Sequence, residues 1–251
     1  MRQDIHALVP KAVLKSPALQ TLREIRGALE LAKRLERARL QRRFSTRSAS
    51  DMNPAQLHFH RLCVFCGSSK GARENYLHAA QQLGRELAAR NIELVYGGGN
   101  VGLMGAVANA VLAAGGCVTG VITEHLTTFE IGHLDIQDLR VVKTMHERKA
   151  LMAELTDGFI AMPGGIGTYE EFFEVLTWAQ LGIHSKPCAL LNVDGFYDPL
   201  LSLLDHAVEE RFVRAAHRDL IVVESEPAAL LDRMAKYHAP HVHKWIDKST
   251  L

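Results

Sequence analysis

From Arg61 onward, the sequence alternates short apolar runs with stretches whose apolar residues recur at helical spacing. This alternation constrains the fold more than any other feature. Short continuous apolar runs are typical of strands buried on both faces, and a helix between two strands allows them to run parallel. The sequence therefore predicts an α/β fold in which a doubly wound parallel sheet carries helices on both faces. The predicted strands are 62–66, 92–96, 117–122, 139–142, 158–162, 186–191 and 220–223.

Charge divides the chain of 251 residues into unlike parts. Residues 1–50 hold 12 Lys or Arg against 4 Asp or Glu, and the whole chain has a net charge of +1, which leaves −7 for residues 51–251. The predicted organisation is a basic N-terminal extension at 1–50, helical or poorly ordered, a globular domain at 51–240 and a polar tail at 241–251. For the extension, an organelle-targeting presequence, an accessory amphipathic helix and sequence upstream of a start at Met52 all remain open.

Composition also argues against several classes of function. A net charge this close to zero provides no basic field for nucleic acid. No apolar run approaches the roughly 20 residues of a membrane span. Four cysteines in a chain of this length favour a reducing compartment, and we predict a cytoplasmic protein. Cys63 and Cys66 lie within a predicted strand and should point to opposite faces, so neither a redox pair nor a metal site is predicted.

Three glycine-bearing turns each follow a predicted strand. They lie at 67–69, 97–102 and 164–167. Ligands of doubly wound sheets bind outside the carboxyl ends of the strands, so these turns should converge on one crevice. The second turn contains Gly-x-Gly-x-x-Gly, but it follows the second strand and lacks the later acidic residue of a dinucleotide site. A Gly-Lys-Ser/Thr phosphate loop is also missing. A mononucleotide or a sugar phosphate therefore fits better than NAD or ATP.

The third turn carries the strongest chemical signal. Residues 163–171 read Pro-Gly-Gly-Ile-Gly-Thr-Tyr-Glu-Glu between a predicted strand and a predicted helix. Glycines allow close approach of the backbone to a ligand, and the N–H groups at a helix start favour an anion. Glu170 and Glu171 follow in the first turn. They are either ordinary complements of the helix dipole or an acid or base beside a phosphate cradle.

Two adjacent cations, Arg148 and Lys149, stand at the start of another predicted helix. Positive charges at this end oppose the helix dipole, which a purely structural helix would avoid. If these side chains face the crevice, they can bind phosphate, Arg148 through its planar fork. The other interpretation is a pair of solvated charges.

Four motifs occur in a fixed order: Cys66-Gly67-Ser68-Ser69, Tyr96-Gly97-Gly98-Gly99-Asn100-Val101-Gly102-Leu103-Met104-Gly105, Met145-His146-x-Arg148-Lys149 and Pro163-Gly164-Gly165-x-Gly167-Thr168-x-x-Glu171. Over residues 61–237 the set resembles the LOG ("Lonely Guy") family of cytokinin riboside 5′-monophosphate phosphoribohydrolases. The resemblance implies a Rossmann-like nucleotide-binding catalytic domain, and a homodimer or an assembly of dimers with sites near the interface. The implied substrate is a nucleoside monophosphate, an adenosine 5′-monophosphate with or without an N6 substituent. It would be hydrolysed at the N-glycosidic bond to free base and ribose 5-phosphate, without a cofactor.

The resemblance also implies roles for residues. It makes Arg148 and Glu171 the catalytic pair. The substrate-binding residues that it implies are Glu130, Lys149, Gly165, Ile166, Gly167, Thr168, Tyr169, Glu170 and Thr177. We also predict substrate contacts for Ser68, Gly98, Gly99, Met104 and Gly164, which lie in the quoted motifs. Glu130 and Thr177 are included because of their distance from the motifs, and Ile166 departs from the aromatic residue of many relatives. The alternative is a non-catalytic carrier or sensor of nucleotide or molybdenum cofactor, which would need the cradle without the Arg148–Glu171 pair.

Overall fold

A computed structural model describes residues 57–129, 132–133 and 135–240. The expectations for the extension at 1–50, for Met52, for Glu130 and for the tail at 241–251 lie outside these residues.

The described residues form one seven-stranded sheet in which every strand pair is parallel. The strands are β1 (Arg61–Phe65), β2 (Glu93–Tyr96), β3 (Val118–Thr123), β4 (Asp138–Val142), β5 (Gly158–Ala161), β6 (Cys188–Leu191) and β7 (Ile221–Glu224). Their spatial order is β4-β3-β2-β1-β5-β6-β7. From β1 at the centre of the sheet, the described chain thus winds to one edge and returns to β5 beside β1. The predicted doubly wound parallel sheet is confirmed.

Helices connect the strands. They are α1 (Glu74–Ala89), α2 (Gly102–Ala113), α3 (Glu124–Phe129), α4 (Met145–Leu155), α5 (Ile166–Gln180), α6 (Asp198–Glu209), α7 (Ala215–Arg218) and α8 (Pro227–Ala235), with a 3-10 turn at Val193–Gly195. α3 follows β3 directly, in a segment to which the sequence analysis assigned no helix. The hydroxyl of Thr123 accepts a hydrogen bond from the Leu126 N–H at 3.3 Å, which is the bond of a helix N-cap.

The core has two layers, one on each face of the sheet. Leu62 and Val64 pack on the side of α1, α2 and α8, whereas Phe65 packs on the side of α4, α5 and α6. Cys63 belongs to the second layer and Cys66 to the first, and both are buried free thiols. The predicted opposite orientation of these two cysteines is confirmed. Successive side chains of a strand point to opposite faces of the sheet, so neighbouring residues of β1 enter different layers.

The strand order fixes where a ligand can bind. β1 leads to β2 on one side and pairs with β5 on the other, so the direction of winding reverses between β1 and β5. Connections from these strands leave in opposite directions and open a crevice at their carboxyl ends. The turns that follow β1, β2 and β5 are the three glycine-bearing turns.

Candidate active site

The three glycine-bearing turns contact one another. The N–H of Gly67 donates to the carbonyl of Pro163 at 3.1 Å, which joins the turns after β1 and β5. The N–H of Leu103 donates to the carbonyl of Gly67 at 3.0 Å, which adds the start of α2. At Gly102, φ is +57°, and a Cβ there would lie 2.2 Å from the Ser68 carbonyl carbon. Only glycine satisfies both the backbone angle and the approach of the two turns.

The start of α5 is open. Gly165 occupies the N-cap position, and no side chain caps the helix. A Cβ built at Gly165 or at Gly167 meets nothing within 4 Å, and Ile166 between them is 82% exposed. The N–H groups of a first helical turn lack partners within the helix. This end of α5 therefore presents backbone donors to open space, as an anion cradle requires.

Behind this open surface, the turn is tightly packed. Thr168 is buried, and a Cβ at Gly164 would lie 2.2 Å from its hydroxyl oxygen. The ring of Tyr169 packs edge-on against the ring of Tyr197 at 6.4 Å. The Tyr197 hydroxyl donates to the Met162 carbonyl at 2.6 Å. Thr168 and Tyr169 thus fix the position of the cradle.

A cleft of about 310 Å³ adjoins the cradle. Its walls come from the turn after β1, from the turn after β5 and from the side chains Tyr76, Leu103 and Phe196. The rings of Tyr76 and Phe196 meet edge-on at 5.8 Å. Ser68 is exposed beside this cleft. The crevice therefore offers both backbone donors and an apolar wall.

Arg148 and Glu171 form a buried ion pair. α4 starts at Met145 with a capping box made by Thr144 and Glu147, which places Arg148 just beyond that cap on the first turn. Its Nη1 donates to Glu171 Oε1 at 2.8 Å, and its Nε donates to the carbonyl of Val121 at 2.9 Å. The two side chains are only 8% and 12% exposed. Sheet, α4 and α5 together hold this pair.

Burial and Arg148 shift the pKa of Glu171 in opposite directions. Loss of water raises the pKa of Glu171, and Glu170 raises it further. Arg148 lowers this pKa through its charge and its hydrogen bond without cancelling the effect of burial. Burial also raises the pKa of the Cys66 thiol, and the negative charge of Glu171 adds to that shift. Glu171 therefore lies near the carboxyl end of β1 as a carboxylate that is more basic than usual.

Lys149 points to a different place. Its buried ammonium contacts Glu170, and it lies 3.1 Å from Glu174 Oε2. Burial acts to lower the pKa of Lys149, but the bonds to these two carboxylates raise it overall. Neither Arg148 nor Lys149 is a solvated charge. Lys149 ties α4 to α5, next to the pair that Arg148 makes with Glu171.

Two other predicted residues, Gly98 and Gly99, belong to the turn after β2. Gly98 is buried at φ +78°, and a Cβ there would be 3.2 Å from Ile122 Cβ. Its carbonyl accepts from the His133 N–H at 3.0 Å, and Gly99 forms an isolated antiparallel bridge with Gly132. These two glycines hold the second turn against the sheet. The structure leaves both buried rather than at the open surface of the crevice.

Within one chain, Thr177 lies away from the start of α5. It follows Ile166 by 11 residues, about 16 Å along α5. Its hydroxyl donates to the Phe173 carbonyl at 2.6 Å.

Two groups that contact Arg148 were not predicted from the sequence. One is the Val121 carbonyl, which accepts from Arg148. A backbone acceptor leaves no trace in residue identity, so no sequence signal could have found it. The other is Gly97, where a Cβ would lie 2.3 Å from Arg148 Nη2 and 3.3 Å from Met104 Sδ. Its place in the second motif was visible, but the contact with Arg148 was not.

Comparisons with known proteins agree on fold and relatives. A family profile described as "Possible lysine decarboxylase" matches residues 104–234. A probable cytokinin riboside 5′-monophosphate phosphoribohydrolase of Oryza sativa subsp. japonica is 53% identical over 186 residues, covering 74% of this chain and 76% of that protein. A cytokinin riboside 5′-monophosphate phosphoribohydrolase of Arabidopsis thaliana is 51% identical over 183 residues, covering 73% of this chain and 85% of that protein.

Among solved structures, the molybdenum cofactor carrier protein of Chlamydomonas reinhardtii superimposes with a TM-score of 0.53. It is 21% identical, and the match covers 70% of this chain and 98% of that one. At this identity the likeness shows a common fold and nothing about ligands.

Proposed function

The chain belongs to the LOG family of cytokinin riboside 5′-monophosphate phosphoribohydrolases, and we propose that it hydrolyses the N-glycosidic bond of a nucleoside 5′-monophosphate. The products are the free base and ribose 5-phosphate. The observation that carries this proposal is the buried pair of Arg148 on α4 and Glu171 on α5, because α5 is also the helix whose open start suits an anion. Adenosine 5′-monophosphate and its N6-substituted derivatives are the proposed substrates.

The cradle accounts for the phosphate. A 5′-phosphate would accept hydrogen bonds from the backbone N–H groups of residues 165–168, where the partial positive charge of the α5 dipole favours an anion. Because Gly165 and Gly167 have no atoms within 4 Å of a Cβ position, a phosphate can come close to the backbone. This contact would anchor the nucleotide and leave the ribose to approach the ion pair.

Glu171 accounts for the bond cleavage. As the bond between C1′ and the base nitrogen breaks, positive charge develops on the ribose, as in glycoside hydrolysis generally. A buried carboxylate stabilises this charge and orients the attacking water, whose oxygen bonds to C1′. The departing base keeps the electron pair of the broken bond and takes up the proton that the attacking water loses. The raised pKa makes Glu171 a stronger hydrogen-bond acceptor for that water than an ordinary glutamate.

Arg148 accounts for the orientation of Glu171. Its hydrogen bond of 2.8 Å holds the carboxylate in one position, and its second bond, to Val121, fixes the guanidinium to the sheet. A non-catalytic carrier of the same fold has no use for such a pair. Neither the open start of α5 nor the Arg148–Glu171 pair supports the lysine decarboxylase description of the family profile.

The test is direct. Purified protein is incubated with AMP, with N6-isopentenyl-AMP and with adenosine, and release of free base is measured. We expect release from one or both monophosphates and very little from adenosine, because adenosine cannot use the cradle. Equal rates with and without the 5′-phosphate would contradict the proposed cradle, and no release from either nucleotide would contradict the proposed reaction.

Gly165→Val is expected to weaken AMP binding. The added side chain points into open space in the free protein, so folding should be preserved, but it stands where the phosphate must approach. We expect the Kd for AMP to rise by about 10²-fold, the loss of one or two charge-assisted hydrogen bonds. Calorimetric titration measures this value. Ala114→Val is the control, because Ala114 is the exposed C-cap of α2 and the substitution adds comparable bulk away from the cradle. Unchanged affinity in Gly165→Val would argue against the cradle.

A homodimer is also proposed. Large apolar side chains are exposed near the end of α5, on α6 and just after α6. They are Leu181 (61%), Ile183 (60%), Leu203 (62%) and Phe212 (82%). Exposed apolar side chains of this size favour association. Light scattering after gel filtration should give twice the monomer mass, and a monomer at micromolar concentration would contradict the proposal.

Within the described residues, no helix has the length and apolar character to cross a membrane.

A further inference from the structure

We propose that Gly97 is a positioning residue for Arg148, and that its missing side chain sets the plane in which the guanidinium meets Glu171. The catalytic consequence rests on the proposed function. The geometric claim stands separately and can be tested without activity.

Space alone requires glycine at this position. A Cβ on Gly97 would lie 2.3 Å from Arg148 Nη2 and 3.5 Å from its Cζ. Gly97 does not have the positive φ of its neighbour Gly98, which is +78°. The backbone of Gly97 would therefore accept an alanine if no neighbour stood in the way. The obstacle is the guanidinium.

Arg148 has little freedom to move aside. Its Nε is bound to the Val121 carbonyl and its Nη1 to Glu171 Oε1, so two corners of the planar group are already fixed. Nη2 is the third corner, and it faces Gly97. Because the group is rigid, moving Nη2 away from an added methyl group tilts the plane and breaks or stretches one of the other two bonds. Met104 Sδ, 3.3 Å from the same Cβ position, closes another direction.

A different explanation of Gly97 makes a different prediction. Glycine turns commonly permit close approach of the backbone to a phosphate. If that were the role of Gly97, an added methyl group would weaken nucleotide binding. If Gly97 acts through Arg148, the methyl group disturbs Glu171 and lowers kcat, while the phosphate cradle at α5 remains intact.

The first measurement is a kinetic comparison. We expect Gly97→Ala to lower kcat by about 10²-fold, the effect of misplacing a catalytic group by about 1 Å, and to change the Kd for AMP by less than about threefold. Gly84→Ala is the matched control, because its Cβ would lie 2.6 Å from Val107 O at the contact of α1 with α2. It should lower the urea midpoint and leave kcat unchanged. A Gly97→Ala protein with normal kcat, or with AMP affinity lost as strongly as kcat, would overturn the proposal.

The second measurement does not depend on catalysis. Lysine has no atom equivalent to Nη2, so Gly97→Ala should lower the urea midpoint in the wild-type background and shift it less than half as far in the Arg148→Lys background. Equal shifts in both backgrounds, or failure to fold in both, would show that Arg148 is not the obstacle. If the wild-type protein released no base, the proposed function would fail, while this cycle would still decide the geometric claim.

Discussion

Glu171→Gln is expected to lower kcat for base release by about 10²–10³-fold, the loss that follows removal of one electrostatic contact to a transition state. Glutamine keeps the shape of the side chain, and its carbonyl oxygen can still accept from Arg148 Nη1. The negative charge that stabilises the ribose cation is lost. The Kd for AMP should stay within about threefold of the wild-type value, because the cradle is unaltered. Single-turnover assays and titration with AMP measure the two quantities.

Glu174→Gln is the matched control for this variant. Glu174 lies on the same helix and contacts Lys149 rather than Arg148. The control should therefore retain the wild-type kcat. If Glu171→Gln released base at the wild-type rate, the assignment of Glu171 as the catalytic carboxylate would be wrong.

The pH dependence of kcat follows from the same residue. Burial raises the pKa of Glu171, and the reaction needs its ionised form. The rate should therefore fall as the pH decreases through this raised pKa, at higher pH than an ordinary glutamate would give. The residual rate of Glu171→Gln should lack this acidic limb. A wild-type profile that stays flat down to the ordinary glutamate range would contradict the role of Glu171.

Much of the architecture could be predicted from the sequence because apolar runs and glycine turns report directly on buried strands and on their carboxyl ends. The turn at 164–167 and the strand before it were located in this way. The strand order then brings turns distant in sequence into contact, as Gly67 and Pro163 show. The helix α3 was missed although Thr123 is a residue type that commonly starts a helix, because a helix of 6 residues is too short to show a repeating apolar face.

The contacts between side chains were harder to predict than the positions of the strands and turns. Lys149 and Arg148 are adjacent and similar in charge, yet one binds Glu170 and Glu174 and the other binds Glu171. Consecutive residues of a helix point in directions about 100° apart, so the two cations reach different places on α5. Which cation meets which carboxylate depends on the packing of α4 against α5. That packing is a tertiary property without a local sequence signal.

Arg148→Ala is expected to destabilise the fold by about 3–5 kcal/mol at neutral pH, because it leaves the Glu171 carboxylate buried without its cation. It should also abolish most base release, since the carboxylate loses its fixed orientation. Chemical denaturation gives the free energy of unfolding. Arg233→Ala is the control, because Arg233 pairs with Glu224 at an exposed position and the loss of such a pair costs less than about 1 kcal/mol.

The pH dependence separates loss of the counter-charge from loss of packing. Burial already raises the pKa of Glu171 above its value in the unfolded chain, and removing Arg148 raises it further. An acid with a raised pKa in the folded state binds protons better when folded, so stability is lost as the pH rises from the unfolded pKa to the folded pKa. The cost of Arg148→Ala should therefore be larger at about pH 8 than at about pH 5, where more of the carboxyl is protonated. In a Glu171→Gln background this difference should disappear. An equal cost at both pH values with Glu171 present would show that Arg148 stabilises the fold by packing alone, and that its charge does not hold Glu171 in the ionised form that catalysis requires.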